Sequence, residues 1–324
     1  MQKEEIEILD YLKQEADNDD IKEILTGLTA EKKYISSKFF YDAQGSKLFE
    51  EITQLDEYYP TRTEKSIIHE ISPKIINSEK NIDIIELGSG DCSKISILFK
   101  AATSERLKKL RYVPIDVSAS SIKKSSSTLL QHFPDLKIQG LVADFMKHLN
   151  QIPQNSDKII CFFGGTIGNL PKKEAIKLLK NIRNTMREND RFLLGIDLVK
   201  DIDVIENAYN DNKNITAAFN KNILNNVNRI INSDIDLSGF EHFAFYNKEK
   251  KRIEMHLVAL NDQEVISTKL PDVIKIRKGE CIHTENSHKY TIEDIFEFAS
   301  LTGLKIKNIF TDKNKWFSIV EFGS

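Results

Sequence analysis

The chain has 324 residues, 40% hydrophobic and 29% charged, which is enough for one large or two ordinary domains with a sizeable core. Its 46 basic and 49 acidic residues are interleaved to a net charge of −3, and the lack of a dense basic stretch speaks against a nucleic-acid partner. The charged opening, MQKEEIEILDYLKQEADNDD, has no long apolar run, so neither a signal peptide nor a membrane span is expected, and the expected setting is the cytoplasm.

Residues 1–35 read as charged helices, with Leu and Ile at helical spacing. An aromatic stretch punctuated by Gly and Pro follows, KFFYDAQGSKLFEEITQLDEYYPTRTE. The middle third then alternates: strand 82–86, a helix from Lys94, strand 110–116, helix 118–132, strand 137–143, strand 158–163, helix 172–187 and strand 190–197. Strands alternating with helices predict a doubly wound, mostly parallel α/β sheet covered on both faces. The last segment, LKIKNIF-TDKNK-WFSIVEF, predicts an antiparallel closing hairpin, which suits a methyltransferase better than a dehydrogenase. Between Lys200 and Lys289 an Asn-rich helical segment precedes strand-like runs, read as a second α+β domain inserted before the hairpin. Cys92, Cys161 and Cys281 are odd in number and far apart, and fit reduced thiols rather than disulfides or a zinc cluster.

The stretch LGSGDCSK, directly after strand 82–86, has the plan of a nucleotide pocket. Gly88 and Gly90 let the backbone turn tightly and approach a ligand. A dinucleotide fingerprint needs a third glycine at 93, where Ser93 stands, whereas Glu86, Gly88 and Gly90 satisfy the acid-x-Gly-x-Gly pattern, whose looser third glycine falls on Cys92. Asp116 ends the next strand, where an acid can accept ribose hydroxyls; as a helix cap before Ser118 it has a plainer role. Asp144 follows the third strand, where an acid can accept the adenine amino group. Three acids at successive strand ends favour S-adenosylmethionine over NAD.

Substrate candidates lie elsewhere. Asn169, in CFFGGTIGNLPKKEA, offers an acceptor and a donor suited to orienting an amine, or else is a turn or cap residue before the helix that Pro171 opens. Tyr58, Tyr59 and Tyr209 offer phenols, or plain packing. In CIHTENSHKY, a regular strand puts His283, Glu285 and Ser287 on one face and His288 on the other. A metal reading of this run lacks strong ligand spacing, and no metal is expected.

These residues together resemble the histidine N-alpha-methyltransferases of ergothioneine biosynthesis, which form hercynine. The segments YDAQGSKLFEEITQLDEYYPTRTE, ELGSGDCSK, VPIDVS, GGTIGNL, GIDLVKD, AYNDNKNITAAFN, IEMHLV and HTENSHKY match that family in order, over nearly the whole chain. The resemblance implies a methyltransferase domain of residues 63–198 and 289–324 and a substrate domain of residues 1–62 and 199–288. It implies a cofactor site of Tyr41, Gly88, Gly90, Lys94, Asp116 and Asp144. It implies a substrate site of Tyr58, Asn169, Tyr209, Met255, Glu285 and Ser287, with Phe49, Gly164 and Thr216 nearby and Asn169 and Tyr41 as catalytic residues. Paired tyrosines would hold the carboxylate of L-histidine, Asn169 its α-amine, and Glu285 with Ser287 its imidazole. His283 and His288 receive no role, and the departures from the family pattern, at Cys92 and Asn286, spare these contacts. The implied partner is this small molecule alone, with no nucleic acid or membrane, acting on a monomer. Rival readings are methylation of another aromatic amino acid or indole compound, a non-catalytic binding module, and an NAD-dependent dehydrogenase.

Overall fold

A computed structural model describes residues 6–12, 18–269 and 273–324. In chain order the elements begin β1 (Glu7–Asp10), α1 (Asn18–Thr29), α2 (Ala43–Ile52), α3 (Tyr59–Ile76), β2 (Ile82–Leu87), α4 (Ile95–Lys100), α5 (Ser104–Leu107) and β3 (Leu110–Asp116). Next come α6 (Ala119–His132), β4 (Lys137–Val142), β5 (Asp157–Phe162), α7 (Lys172–Thr185), β6 (Arg191–Asp197), α8 (Ile202–Asn207) and α9 (Ile215–Ile231). The remainder is β7 (Phe240–Asn247), β8 (Arg252–Ala259), β9 (Gln263–Val265), β10 (Ile274–Ile276), β11 (Cys281–His288), α10 (Ile292–Thr302), β12 (Lys305–Thr311) and β13 (Phe317–Gly323). The chain divides into two compact units, one of Met1–Gln14, Arg62–Leu198 and Tyr290–Ser324, the other of Glu15–Thr61 and Val199–Lys289.

The first unit is built on an eight-stranded sheet of order β1-β4-β3-β2-β5-β6-β13-β12. The strands from β1 to β6 run parallel, and β13 and β12 close the sheet antiparallel. Successive residues of each central strand enter different cores. Ile85, Val113 and Ile160 join Leu178, Leu179 and Ile182 of α7, while Ile84, Tyr112 and Ile159 join Leu98, Phe99 and Leu129 on the opposite face. A sheet buried on both faces explains why these strands read as continuous apolar runs rather than alternating ones. The order reverses between β3-β2 and β5-β6, which makes the C-terminal ends of β2 and β5 the switch point where open α/β sheets bind ligands.

One expected element differs. The helical reading of residues 1–35 falls partly on residues outside the described set, and within that set residues 7–10 form β1, pairing in parallel with β4. A strand of four residues at the sheet edge leaves little pattern to read, and its two apolar residues, Ile8 and Leu9, are adjacent and so mark neither a single strand face nor a helix stripe.

The second unit holds a three-stranded antiparallel sheet, β11-β8-β7, and a separate β9-β10 pair. Ile253, Met255 and Leu257 of β8 are buried, as are Thr216, Phe219, Asn220 and Ile223 of α9, the helix lying against this sheet. Stacking of Phe40 on Phe219, ring centres 4.5 Å apart, joins the short turn before α2 to the same helix.

Candidate functional site

In the first unit the chain leaves β2 through Gly88 (φ 68°), Gly90 (φ 50°) and Cys92 (φ 57°). Left-handed backbone is free for glycine and costs a residue with a Cβ about 1–2 kcal/mol. A Cβ on Gly90 would meet nothing within 4 Å, so its backbone angle, not crowding, asks for glycine there. Cys92 adopts the same conformation with a side chain, held by burial and by its Sγ lying 3.1 Å from the Tyr112 hydroxyl. Burial pushes this thiol up to about 12, which leaves it un-ionised and inert at neutral pH.

Asp116 accepts from the backbone N–H of Gly90 at 3.2 Å and of Ser118 at 3.0 Å. The cap of α6 is Ser118, which accepts from the Ser121 N–H, so the cap reading of Asp116 gives way to a carboxylate tied to the glycine turn. Burial raises its pKa against the N–H groups of Ser118, Gly90 and Val117, which lower it. Asp144, past the end of β4, accepts from Met146 N–H at 2.8 Å. The left-handed turn, the acid at the end of β3 and the acid after β4 fit a nucleoside with ribose hydroxyls and an exocyclic amine.

Lys94 brings in a residue that sequence reasoning missed. Its Nζ lies 3.0 Å from Glu64, whose oxygens accept from the Gly164 N–H at 2.8 and 2.9 Å. Glu64 is wholly buried. A Cβ on Gly164 would approach Lys94 Nζ to 2.9 Å, and one on Gly195 would approach Glu64 Oε1 to 2.2 Å, so both glycines make room for this pair. The signal was present: Glu64 lies three and four residues before the buried Ile67 and Ile68, an acid on the apolar face of α3. Asn169 ends a 3-10 turn, Thr166–Asn169, and the N-cap of α7 is Pro171, so Asn169 does not cap that helix.

In the second unit the decisive feature is a β-bulge. His283 pairs with His256 and Glu285 with Met255, so two steps on β11 match one on β8, and Thr284 is the extra residue. Its hydroxyl donates to Asn220 Oδ1 at 2.7 Å and to the Met255 carbonyl at 3.1 Å. The expected common face of His283, Glu285 and Ser287 is therefore corrected. Glu285 and Ser287 share the buried face of Met255, and His283 lies with Asn286 and His288 on the reverse face. There His283, His256 and Glu254 bring three metal-capable groups within 4.8 Å of one another. Arg252 already donates to Glu254 Oε1 at 2.7 and 2.8 Å, so that carboxylate is committed to a cation of the chain itself. Burial lowers the pKa of both histidines, and of His288 to about 4.

The expected aromatic residues come together within the same unit. Ring centres are 5.8 Å apart for Tyr41 and Phe49, 6.2 Å for Phe49 and Tyr58, and 6.3 Å for Tyr58 and Tyr209. Tyr59 departs from this chain of rings, accepting from Lys200 Nζ at 2.7 Å. The Tyr209 phenol donates to Ser287 Oγ at 2.8 Å, and its carbonyl lies 2.9 Å from His242 Nε2. Thr216 is buried in the first turn of α9, whose N–H groups at Ile215 and Thr216 donate to Asp211 at 3.0 and 2.8 Å. Burial would raise Asp211, but these bonds hold it below the usual carboxylate range.

Known proteins resemble this chain over most of its length. Residues 20–323 match the family of SAM-dependent, histidine-specific methyltransferases. The chain is 38% identical over 291 residues to histidine N-alpha-methyltransferase of Mycolicibacterium smegmatis, covering 90% of each protein. It is 35% identical over 292 residues to the protein of that name from Mycobacterium tuberculosis, covering 90% of this chain and 91% of the other. To ergothioneine biosynthesis protein 1 of Neurospora crassa it is 28% identical over 294 residues, 88% of this chain and 32% of that protein. The family match runs through the glycine turn and the bulged strand alike, and the chain belongs to the SAM-dependent, histidine-specific methyltransferases.

Proposed function

We propose that the protein methylates the α-amino nitrogen of L-histidine three times over, giving hercynine, the opening step of ergothioneine biosynthesis. When bound, S-adenosylmethionine supplies the methyl group from a sulfonium. Gly88 and Gly90 admit it close to the backbone, Asp116 accepts its ribose hydroxyls, Asp144 its adenine amine, and Lys94 and Tyr41 complete its contacts. Tyr58 and Tyr209 donate to the histidine carboxylate, and Phe49, Gly164 and Thr216 complete the surroundings. Asn169 accepts from the amine and turns its lone pair toward the methyl group. Orientation of this kind contributes on the order of 7–11 kcal/mol, so the site needs no strong base once solvent removes the ammonium proton.

The observation that carries the reading is the bulge at Thr284, which turns Glu285 and Ser287 onto the face of Met255. An acid and a hydroxyl side by side over a thioether suit a ring with two nitrogens, and a site with buried polar groups rejects rings that leave them unpaired. An indole offers one ring nitrogen and leaves one of the two unused. We read the enzyme as a cytoplasmic monomer; no helix among the described residues is long and apolar enough to cross a membrane.

The test is product analysis. The protein is incubated with S-adenosylmethionine and all common amino acids, and each is followed by mass spectrometry. Histidine gains three methylene increments and no other amino acid gains any. Modification of tryptophan or tyrosine in place of histidine would sink the substrate reading, and methylation on the ring, seen by fragmentation, would sink the position.

A further inference from the structure

Lys289 has no part in the roles given above. It directly follows β11, is 1% exposed, and its backbone N–H donates to the Lys251 carbonyl at 2.8 Å. Its ammonium donates to Ser287 Oγ at 2.8 Å and to the Tyr209 oxygen at 3.1 Å, and sits 4.9 Å from the Tyr209 ring centre. Tyr209 in turn donates to Ser287 Oγ at 2.8 Å. The three side chains form a closed triangle in the second unit.

A hydroxyl has one proton and two lone pairs, and an ammonium only donates. Both lone pairs of Ser287 are taken, one by Lys289 and one by Tyr209, so its proton must go to an acceptor outside the triangle. It has no return path to Tyr209, because that oxygen takes a proton from Lys289 while giving its own to Ser287. When the Tyr209 proton turns to a carboxylate, Lys289 still donates to both oxygens, and its charge beside them favours each hydroxyl giving its proton outward over accepting another.

We propose that Lys289 is a positioning residue for substrate choice: it makes the Ser287 hydroxyl a donor, so that Ser287 and Glu285 together read a neutral imidazole. One ring nitrogen presents N–H to the Glu285 carboxylate and the other presents its lone pair to Ser287. The proposal rests on the reading of Glu285 and Ser287 as ring ligands. A ring with N–H but no acceptor leaves the Ser287 proton buried and unpaired. An imidazolium sets N–H against O–H, beside a cation.

The closing experiment compares kcat/KM for L-histidine and for 3-(pyrrol-2-yl)-L-alanine, whose ring has an N–H and no acceptor. Without Lys289, the Ser287 proton can turn to the Tyr209 oxygen, and the pyrrole is no longer penalised. In Lys289→Met the preference for histidine falls about tenfold, as it does in Ser287→Ala, and the double variant falls no further. An unchanged preference in Lys289→Met, or losses that multiply in the double variant, overturns the role of Lys289. An unchanged preference in Ser287→Ala removes the ring reading itself, and the proposal with it. Affinity for S-adenosylmethionine, measured by calorimetry, reports folding in each variant. A second measurement needs no variant: the 15N spectrum of labelled histidine bound to the wild-type protein with S-adenosylhomocysteine. One protonated and one bare ring nitrogen are expected; an imidazolium overturns the proposal.

Discussion

Asp116 holds the glycine turn, and in the function proposed above the same carboxylate also takes the ligand. One oxygen accepts from the Gly90 N–H and the other from the Ser118 N–H, with the Val117 N–H also turned toward the carboxylate; of its roughly four acceptor positions at least one is left for a ribose hydroxyl. Asp116→Ala therefore loosens the glycine turn and leaves a ligand hydroxyl unpaired. Calorimetry on the folded variant should show S-adenosylmethionine binding weakened roughly ten- to a hundredfold, the equivalent of about 1.5–3 kcal/mol for charged hydrogen bonds. Undiminished affinity would take Asp116 out of the site. At this scale the sequence was legible wherever a residue type is rare for its place, as with an acid ending a strand. Asn169 was ambiguous because turn, cap and ligand ask for the same side chain; Pro171 at the cap position removes the cap alternative alone, and Asn169 does end a 3-10 turn. Lys289 was silent for another reason: a lysine after a polar strand is ordinary, and its burial is set by Tyr209, some eighty residues away.

Among the elements, the β2–β3 pair carries a consequence for pH. Glu86, opposite Pro114 in the register, is fully buried and accepts from the Tyr112 hydroxyl. Burial, against the lowering influence of that hydroxyl and of Lys94, raises its pKa to about 8. An unfolded carboxyl ionises near 4.3. Between those values the folded chain holds a proton that the unfolded chain has released, so stability falls as pH rises from about 4.5 to about 8 and is level above that. Glu86→Gln cannot ionise and escapes this loss. Between about pH 5.5 and pH 8 the melting temperature of the wild type should drop roughly 3–6 °C more than that of Glu86→Gln. Parallel drops in the two proteins would place the titration elsewhere. The same pair shows why the large sheet could be read from sequence: each of its central strands is a run of residues apolar in both phases. The strands of the smaller sheet alternate, and there a single extra residue, Thr284, defeats any face assignment made by counting.

For the molecule as a whole, the roles proposed for the two ligands predict footprints that can be told apart. Hydrogen exchange with S-adenosylhomocysteine should slow the amides around Gly88–Gly90 and Val117–Ser118. L-Histidine, added with S-adenosylhomocysteine present, should slow those of β8 and β11 near Met255 and Glu285. A ligand at a hundred times its Kd adds about 2.7 kcal/mol against openings that release it, enough to lengthen exchange times about a hundredfold where opening requires release. Histidine protection confined to the first unit would contradict the roles given to Glu285 and Ser287. The closing hairpin was legible at this scale because its two apolar runs flank the polar turn TDKNK. The strand at residues 7–10 was not, because its partner β4 lies more than a hundred residues further along the chain.

The bulge at Thr284 also has a grammar. A strand alternates like a two-beat measure, and an extra residue shifts the phase of everything after it. Here that shift is already spent: excising Thr284 would leave His283 facing outward and Glu285 and Ser287 facing inward, at the cost of its bonds to Asn220 and Met255. Excising Asn286, two residues on, would swing Ser287 and Lys289 to the opposite side while sparing Glu285. Length changes in this strand are thus unequal by position, and a lineage can lose the residue at 284 without shifting Glu285 and Ser287 off the face of Met255, but not the one at 286.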